Sequence, residues 1–240
     1  QPLIFTTQIA RYANTWEKGL KKAFEAGTIV GLTGHSQGIM SAALIAESPG
    51  GAISPDRFAD YVHYFAWQGY HMERSNPPAA GEGGSCMAAV SQISLTRLEG
   101  IVGKVNKALP PGDRLTISLQ NTRTRNVISG HPGALQHLQK ALDLIAEKEK
   151  ASKKAGRFGG SPLSYTWEDL PVSAAFHSHH MENGHAGMTQ TVAEIGFSID
   201  ASQFHVPVYL CDAEGTIEDD ATTVLLKSQF LQPVCWQQTL

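Results

Sequence analysis

The feature that most restricts the fold of this chain is a glycine-flanked serine between an apolar run and a helical pattern. Residues 28–33, Thr-Ile-Val-Gly-Leu-Thr, form a short apolar run that predicts a buried strand. Gly34-His-Ser-Gln-Gly38 follows, and the small and apolar side chains of residues 39–46 predict a helix. A tight strand-to-helix turn would lift Ser36 clear of a sheet, because its glycines remove side chains that would collide there.

This turn has two interpretations. In the first, Ser36 is a nucleophile and the backbone N–H of Gln37 faces a developing oxyanion at the helix N-terminus. In the second, the segment is an ordinary strand-to-helix turn whose serine has no chemical role. The apolar run before the turn and the helix after it favour the nucleophile.

A serine nucleophile needs a general base at neutral pH, and histidine is the usual one. Of ten histidines, His177 stands out because Pro171-Val-Ser-Ala-Ala-Phe176 predicts a strand that ends at it. His35, beside the serine, could form a wall of the site or only pack behind it.

The histidines that follow His177 raise the question of a metal site. His177, His179, His180 and His185 include the His-x-His spacing found among metal ligands. No carboxylate has the spacing that a hydrolytic dinuclear site requires, and no cysteine is near. We therefore predict no metal, and we expect the last three histidines to face solvent at a helix start.

A change of pattern predicts a second subdomain inserted into the first. Residues 75–85 form a loop or boundary, after which the order of elements is β-α-β-β-α-β, the ferredoxin-like split motif. Its strands are expected at 86–93, 114–119, 126–129 and 172–176, and its helices at 95–109 and 132–146. The predicted fold class is α/β, with a large subdomain from 1–84 and 172–240 and a small subdomain from 85–171.

The remaining elements belong to the large subdomain. Helices are expected at 9–24, from Ser54 to about residue 72, at 186–197 and at 220–231, with a strand at 206–210. The charged and then glycine-rich segment 147–160 is expected to be mobile.

Composition limits the function classes. The 240 residues carry a formal net charge of −3, which does not favour nucleic acid as a partner, and no apolar run is long enough for a membrane span. The three cysteines, Cys86, Cys211 and Cys235, suit buried thiols in a reducing compartment, so we expect a cytoplasmic protein. The first residues do not resemble a signal peptide, and the chain reads as a segment of a longer polypeptide.

Three motifs occur in one order: Gly34-His-Ser-Gln-Gly38, Pro171-Val-Ser-Ala-Ala-Phe-His177 and Gln229-Phe-Leu-Gln-Pro-Val-Cys-Trp236. Together they resemble the malonyl/acetyl-CoA:acyl-carrier-protein transacylase family across essentially the whole chain. The glutamine after Ser36 is most similar to the acetyltransferase domain of the type I fatty acid synthases of fungi and mycolic-acid bacteria. The resemblance implies that the large subdomain is α/β-hydrolase-like and extends beyond this chain.

The resemblance also implies roles for particular residues. Ser36 would be the acylated nucleophile and His177 its base, oriented by the main-chain carbonyl of Gln229 instead of the Asp of a hydrolase. Asn121 would line the acyl pocket from the small subdomain. The implied substrate is an acyl-CoA, and the acceptor is the 4'-phosphopantetheine thiol of acyl carrier protein, with no bound cofactor.

Two departures from the family pattern matter. The Gly-Gln-Gly segment that supplies the second oxyanion donor is absent and would have to precede Gln1. The arginine that grips a malonyl carboxylate is also missing, because aligning the family's Arg-Gly pair on Trp67-Gln-Gly69 puts Gln68 there. A neutral amide cannot offset the desolvation of a buried carboxylate, so acetyl is the expected acyl group. The alternative is that Gln68 is an ordinary polar helix residue.

Carrier proteins are usually acidic, which makes two basic segments possible docking sites. One comprises Arg123 and Arg125, and the other is the run Lys148, Lys150, Lys153, Lys154 and Arg157. Charge runs are more often simply solvated surface.

Three other functions stay open. A lipase-like hydrolase or thioesterase would use Asp169 as the acid that orients the histidine. A malonyl, palmitoyl or polyketide-type acyltransferase would keep the chemistry and change the acyl group. A module that only docks carrier proteins would need neither Ser36 nor His177.

Overall fold

The computed structural model describes residues 1–75, 84–156, 159–211, 217 and 220–236. Its helices before the small subdomain are α1 (Pro2–Thr15), α2 (Lys21–Glu25), α3 (Gly38–Glu47) and α4 (Pro55–Arg74), and those after it are α7 (Glu182–Ile195) and α8 (Ala221–Phe230). Helices α5 (Leu95–Ala108) and α6 (Pro132–Lys154) lie between them in the chain. None of the helices in these ranges is long and apolar enough to cross a membrane.

The strands form two sheets among the described residues. Strands β1 (Leu32–Thr33) and β6 (Val208–Tyr209) pair in parallel, with Leu32 opposite Val208. The other four strands form an antiparallel sheet in the order β3-β4-β2-β5: β2 (Met87–Ser91), β3 (Thr116–Thr122), β4 (Arg125–Ser129) and β5 (Thr166–Asp169). The predicted β-α-β-β-α-β order is confirmed, although the boundary at 75–85 lies mostly outside the described residues.

The last strand of the small sheet lies earlier than predicted. The prediction of a strand at 172–176 is wrong, because β5 comprises Thr166–Asp169 and residues 172–176 are irregular. Pro171 explains the difference, since it lacks an N–H and cannot continue the ladder with β2. The charged and exposed side chains of β5 are typical of an edge strand. Because they do not form an apolar run, the sequence pattern did not indicate a strand there.

Helix α6 is also longer than predicted. The charged residues 147–154 were expected to be mobile, but they continue the helix to Lys154. Alanine, lysine and glutamate favour helix, and Glu149 is fixed by two contacts from Arg97 of α5, at 2.5 and 2.6 Å. The N–H of Leu163 donates to the same carboxylate, so the charged run is tied to the small subdomain.

The predicted strand at residues 28–33 is reduced to its last two residues, Leu32 and Thr33. Helix α4 begins as the sequence indicated, because Ser54 accepts a hydrogen bond from the N–H of Arg57 at 3.2 Å. Residues Ile39–Ala46 lie within α3, as predicted.

Two of the three buried hydrophobic clusters among the described residues make up most of the core. The larger one combines residues before position 75 with residues after position 173, including Phe5, Tyr61 and Phe230. The smaller one packs α5 and α6 on the four-stranded sheet and uses only residues 88–163. The main chain links the two regions at β3, where the N–H of Gln120 donates to the carbonyl of Val234 at 2.7 Å.

Candidate active site

The turn after β1 holds Ser36 in a left-handed backbone conformation, which residues other than glycine rarely adopt. Ser36 has φ of 51°, in the left-handed region that costs a non-glycine residue about 1–2 kcal/mol. A side chain at Gly34 would meet the backbone carbon of Gly38 at 2.0 Å, so the first glycine of the motif allows the chain to close on itself. The N–H of Gly38 completes the turn by donating to the main-chain carbonyl of His35 at 2.9 Å. The geometry is that of a serine presented at the start of a helix.

His177 faces this serine directly. Its Nε2 lies 2.7 Å from the Oγ of Ser36, although 140 residues separate the two along the chain. Its Nδ1 lies 3.1 Å from the carbonyl of Ser228 and 3.0 Å from the carbonyl of Gln232. Because carbonyls only accept, the proton of a neutral ring sits on Nδ1, and Nε2 is free to accept the proton of Ser36.

The partner of His177 differs from the prediction that placed the Gln229 carbonyl there. The carbonyls that accept from Nδ1 belong to Ser228 and Gln232, so that prediction is wrong. Ser228 lies in the last turn of α8, where carbonyls lack intrahelical partners. The N–H of Gln232 donates to the carbonyl of Lys227 and not to that of Ser228. Gln229 acts through its side chain, which donates from Nε2 to the main-chain carbonyl of Ser36 at 2.9 Å.

Burial lowers the pKa of His177 to about 4, because the imidazolium would lose its hydration. The two carbonyl hydrogen bonds, from Gln232 and Ser228, oppose this shift, and the nearby His35 adds slightly to it. The ring is therefore neutral at pH 7, which is the state that a general base requires.

His35 and Asn121, two residues predicted separately to line the pocket, are in contact in the structure. The Nε2 of His35 lies 2.7 Å from the Oδ1 of Asn121 on β3, so the elbow contacts the small subdomain through this pair. The ring of Trp236 packs edge-on against His35, with centroids 5.5 Å apart. Gln37 caps α3, where backbone N–H groups lack intrahelical partners, and its side chain donates to the carbonyl of Gln1 at 2.9 Å.

Comparison with known proteins relates the chain to fatty acid synthases. Residues 86–169 match the family model of the fatty acid synthase central AT domain. The chain is 26% identical to the fatty acid synthase subunit beta of Saccharomyces cerevisiae over 99% of its own length and 12% of that protein. It is 24% identical to the fatty acid synthase beta subunit pigK of Monascus ruber over 98% of its length, again 12% of that protein. Residues 86–169 are thus a fatty acid synthase central AT domain, and the chain is homologous to fungal fatty acid synthase beta subunits.

Solved structures show the same fold. The MCAT structure from Streptococcus pneumoniae superposes with a TM-score of 0.68 and 24% identity, covering 100% of this chain and 64% of that one. The chain therefore has a mixed α/β fold that matches transacylase structures over part of their length. It spans just under two thirds of that structure and about one eighth of the beta subunits.

Gln68 is fully buried on α4. Its Nε2 lies 3.4 Å from the hydroxyl of Tyr64, and its Oε1 has no hydrogen-bond partner among the described residues. The hydrogen bonds of Ser36 and His177 among the described residues do not involve Gln68, so its place in an acyl pocket stays a prediction.

The prediction that His179, His180 and His185 face solvent is wrong in part, because all three side chains are half-buried. His179 and His180 are half-buried with ring centroids 4.1 Å apart, and the ring of His131 packs on His180 at 5.2 Å. Burial and then the charge of His179 lower the pKa of His180 to about 4. His185 is half-buried on α7 against Phe230. In the described part of the chain, no group of His, Cys, Asp or Glu side chains is arranged to hold a metal ion.

Asp169, the acid that a hydrolase would need, lies on the edge strand β5. Its carboxylate accepts from the indole N–H of Trp167 at 2.9 Å, and carbonyls occupy the place beside His177 where that acid would stand. The sequence did not indicate Ser228 or Gln232, because both act through main-chain carbonyls, which every residue has. The end of α8 was the available signal, because helix ends expose carbonyls.

Proposed function

We propose that this chain is a serine acyltransferase that moves acetyl groups from acetyl-CoA to the phosphopantetheine thiol of acyl carrier protein. The observation that carries the proposal is the 2.7 Å contact between Ser36 Oγ and His177 Nε2, with the Nδ1 proton held by two carbonyls. The match of residues 86–169 to the fatty acid synthase central AT domain suggests the substrate class.

The reaction proceeds in two half-reactions. His177 accepts the proton of Ser36 while Oγ attacks the thioester carbonyl, and the tetrahedral oxyanion lies against the N–H of Gln37 at the start of α3. CoA thiolate leaves with the proton that His177 returns. The carrier thiol then gives its proton to His177 and attacks the acyl-serine, and His177 returns that proton to the departing Oγ of Ser36.

The orienting group of the base supports transfer over hydrolysis by a lipase-like triad. Two neutral carbonyls hold Nδ1–H, so the histidinium formed in the reaction lacks the buried anion of Ser-His-Asp enzymes. We assign Asn121 and His35 to the acyl end of the pocket because their 2.7 Å contact joins the small subdomain to the elbow.

The starter preference rests on Gln68. Its buried amide is neutral and provides no counter-charge for a carboxylate, whereas burial of an unpaired malonyl carboxylate would cost several kcal/mol. Acetyl needs no such partner.

Partners and domain limits follow from the same proposal. We assign residues 1–84 and 172–240 to an α/β-hydrolase-like subdomain of a larger cytoplasmic synthase, and residues 85–171 to the small one. Arg123 and Arg125, the first basic segment, lie at the β3–β4 turn. In the second basic segment the four lysines lie on α6, and Arg157 is outside the described residues. Either basic segment would complement an acidic carrier.

Intact-protein mass spectrometry after brief mixing with acetyl-CoA or malonyl-CoA tests the function. We expect an acetyl adduct that peptide mapping assigns to Ser36, and little malonyl adduct. A dominant malonyl adduct would keep the acyltransferase and overturn the acetyl preference. Absence of both adducts, in a folded protein that hydrolyses simple esters, would point to a hydrolase.

The Gln68→Arg variant is expected to raise the ratio of malonyl to acetyl adduct by at least about tenfold, since a charge-assisted hydrogen bond contributes about 1.5–3 kcal/mol. Gln68→Met is the matched control, because it keeps the volume and removes the amide, and it should leave the acetyl preference unchanged. A folded Gln68→Arg protein with an unaltered ratio would make Gln68 an ordinary helix residue.

A further inference from the structure

Ser129 connects the small sheet to the segment that holds His177. It ends strand β4, and its side chain is completely buried. Its Oγ lies 2.8 Å from the main-chain carbonyl of Phe176 and 2.7 Å from the Oγ of Ser118 on β3. Because a carbonyl only accepts, the contact with Phe176 uses the proton of Ser129. The Oγ of Ser118 also lies 3.2 Å from the carbonyl of Val127, so its one proton serves either that carbonyl or the Oγ of Ser129.

The carbonyl of Phe176 is part of the peptide group that contains the nitrogen of His177. His177 has φ of 56°, a left-handed conformation that costs a non-glycine residue about 1–2 kcal/mol. Holding that carbonyl fixes the plane of the peptide, and the plane together with φ sets the direction of the imidazole. The hydrogen bond from Ser129 therefore stabilises the strained backbone in which Nε2 reaches Ser36.

The small sheet also holds the other side of the ring. Strand β3 pairs with the chain around Val234, whose N–H donates to the carbonyl of Ser118 at 2.8 Å. Val234 lies two residues after Gln232, whose carbonyl accepts from Nδ1 of His177. Ser118 and Ser129 thus lie beside both main-chain segments that surround the base.

We propose that Ser129 is a positioning residue for His177, acting through the Phe176 carbonyl; the proposal rests on the proposed role of His177 as the base of Ser36. Ser129 touches neither substrate nor nucleophile. Its effect is to keep the base at hydrogen-bond distance from Ser36, and a displacement of about 1 Å at such a site can cost about a hundredfold in rate.

The test measures how fast a fluorophosphonate labels Ser36 in the full-length protein. Ser129→Ala is expected to lower the labelling rate constant by about 10- to 100-fold. Ser118→Ala is the matched control, because Ser118 is equally buried and leaves the contact between Ser129 and Phe176 in place. We expect it to lower the rate by less than about threefold, within the scatter of indirect effects. Ser129→Thr keeps the hydroxyl and should restore most of the rate.

The pH profile separates positioning from a general loss of stability. Labelling of the unchanged protein should be independent of pH above about 5, because burial lowers the pKa of His177 to about 4. In Ser129→Ala the base is displaced, so labelling should keep rising with pH as hydroxide replaces it. With acetyl-CoA, the same variant should show a lower kcat and an unchanged KM.

Three results would overturn the proposal. They are equal losses in Ser129→Ala and Ser118→Ala, a loss that folded Ser129→Thr does not reverse, and an unchanged pH profile. If Ser129→Ala does not fold, Ser129→Cys fills the same space with a weak donor and takes its place.

The probe also separates this proposal from the proposed function, because labelling needs only an activated serine. Protein that is labelled but takes no acetyl group from acetyl-CoA would refute the acyltransferase and leave the role of Ser129 under test. Protein whose Ser36 is not labelled at all would refute both.

Discussion

Ser36→Ala is expected to lower the rate of acyl-enzyme formation from acetyl-CoA by about 10⁴-fold or more, because it removes the only atom that the acyl group can occupy. The loss should be confined to chemistry. Among the described residues the Oγ of Ser36 bonds to His177, and this contact is lost. The Ser36 carbonyl, which accepts from the side chain of Gln229 and the N–H of Ile39, is retained. Stopped-flow mixing followed by mass spectrometry would measure the adduct, and circular dichroism would verify the fold.

Ser41→Ala is the matched control for this substitution. Ser41 lies one and a half turns further along α3, is nearly as buried as the site residues, and donates to Gln8 at 2.7 Å. It should form the acetyl adduct at a rate close to that of the unchanged protein. Adduct formation by Ser36→Ala at more than a few per cent of the normal rate would remove Ser36 from the mechanism.

The second large effect is expected from His177→Asn, with a loss of about 10²- to 10⁴-fold in acylation, the range that general bases contribute. Asparagine is chosen because it tolerates the left-handed conformation at this position, where φ is 56°. An alanine would combine the loss of the base with added backbone strain. The measured decrease in His177→Asn therefore reports the missing base.

The pH dependence of acylation gives an independent measure of the same histidine. The base works only when neutral, and burial lowers its pKa to about 4 from the usual value of 6.5. We therefore expect acylation to stay constant as pH falls from 8 to about 5, and to decline only as pH approaches the lowered pKa. A decline centred near pH 6.5 would mean that the ring is hydrated in the working enzyme. His185→Asn, on α7, is a control that should leave the profile unchanged.

The sequence predicted the local features of the site well because they depend on neighbouring residues. The elbow needs Gly34 and Gly38 within five positions of each other, and a side chain at Gly34 would collide with Gly38. The start of α4 needs Ser54 and an N–H three residues later. Interactions of this range leave a pattern in residue type, so the helices and the serine turn were recognisable without the structure.

Some misses arose where a partner overrode a local preference. The charged run after residue 146 reads as solvated chain, but Arg97 of α5 binds Glu149 and keeps it helical. Strand β5 is polar and was not recognised, because its pairing with β2 depends on main-chain hydrogen bonds and not on apolar side chains. Pro171 then ends the strand before the segment in which it was expected.

By itself, the sequence determined the nucleophile turn, the order of elements in both subdomains and the histidine that would meet the serine. Only the tertiary structure decided how that histidine is held. Its Nδ1 partners are the carbonyls of Ser228 and Gln232, and its backbone is fixed by Ser129 through Phe176. The physical reason is that every residue has the same carbonyl group. Which carbonyl accepts the Nδ1 proton of His177 depends on where helix α8 ends and on how the small sheet packs. Neither of these can be read from residue types.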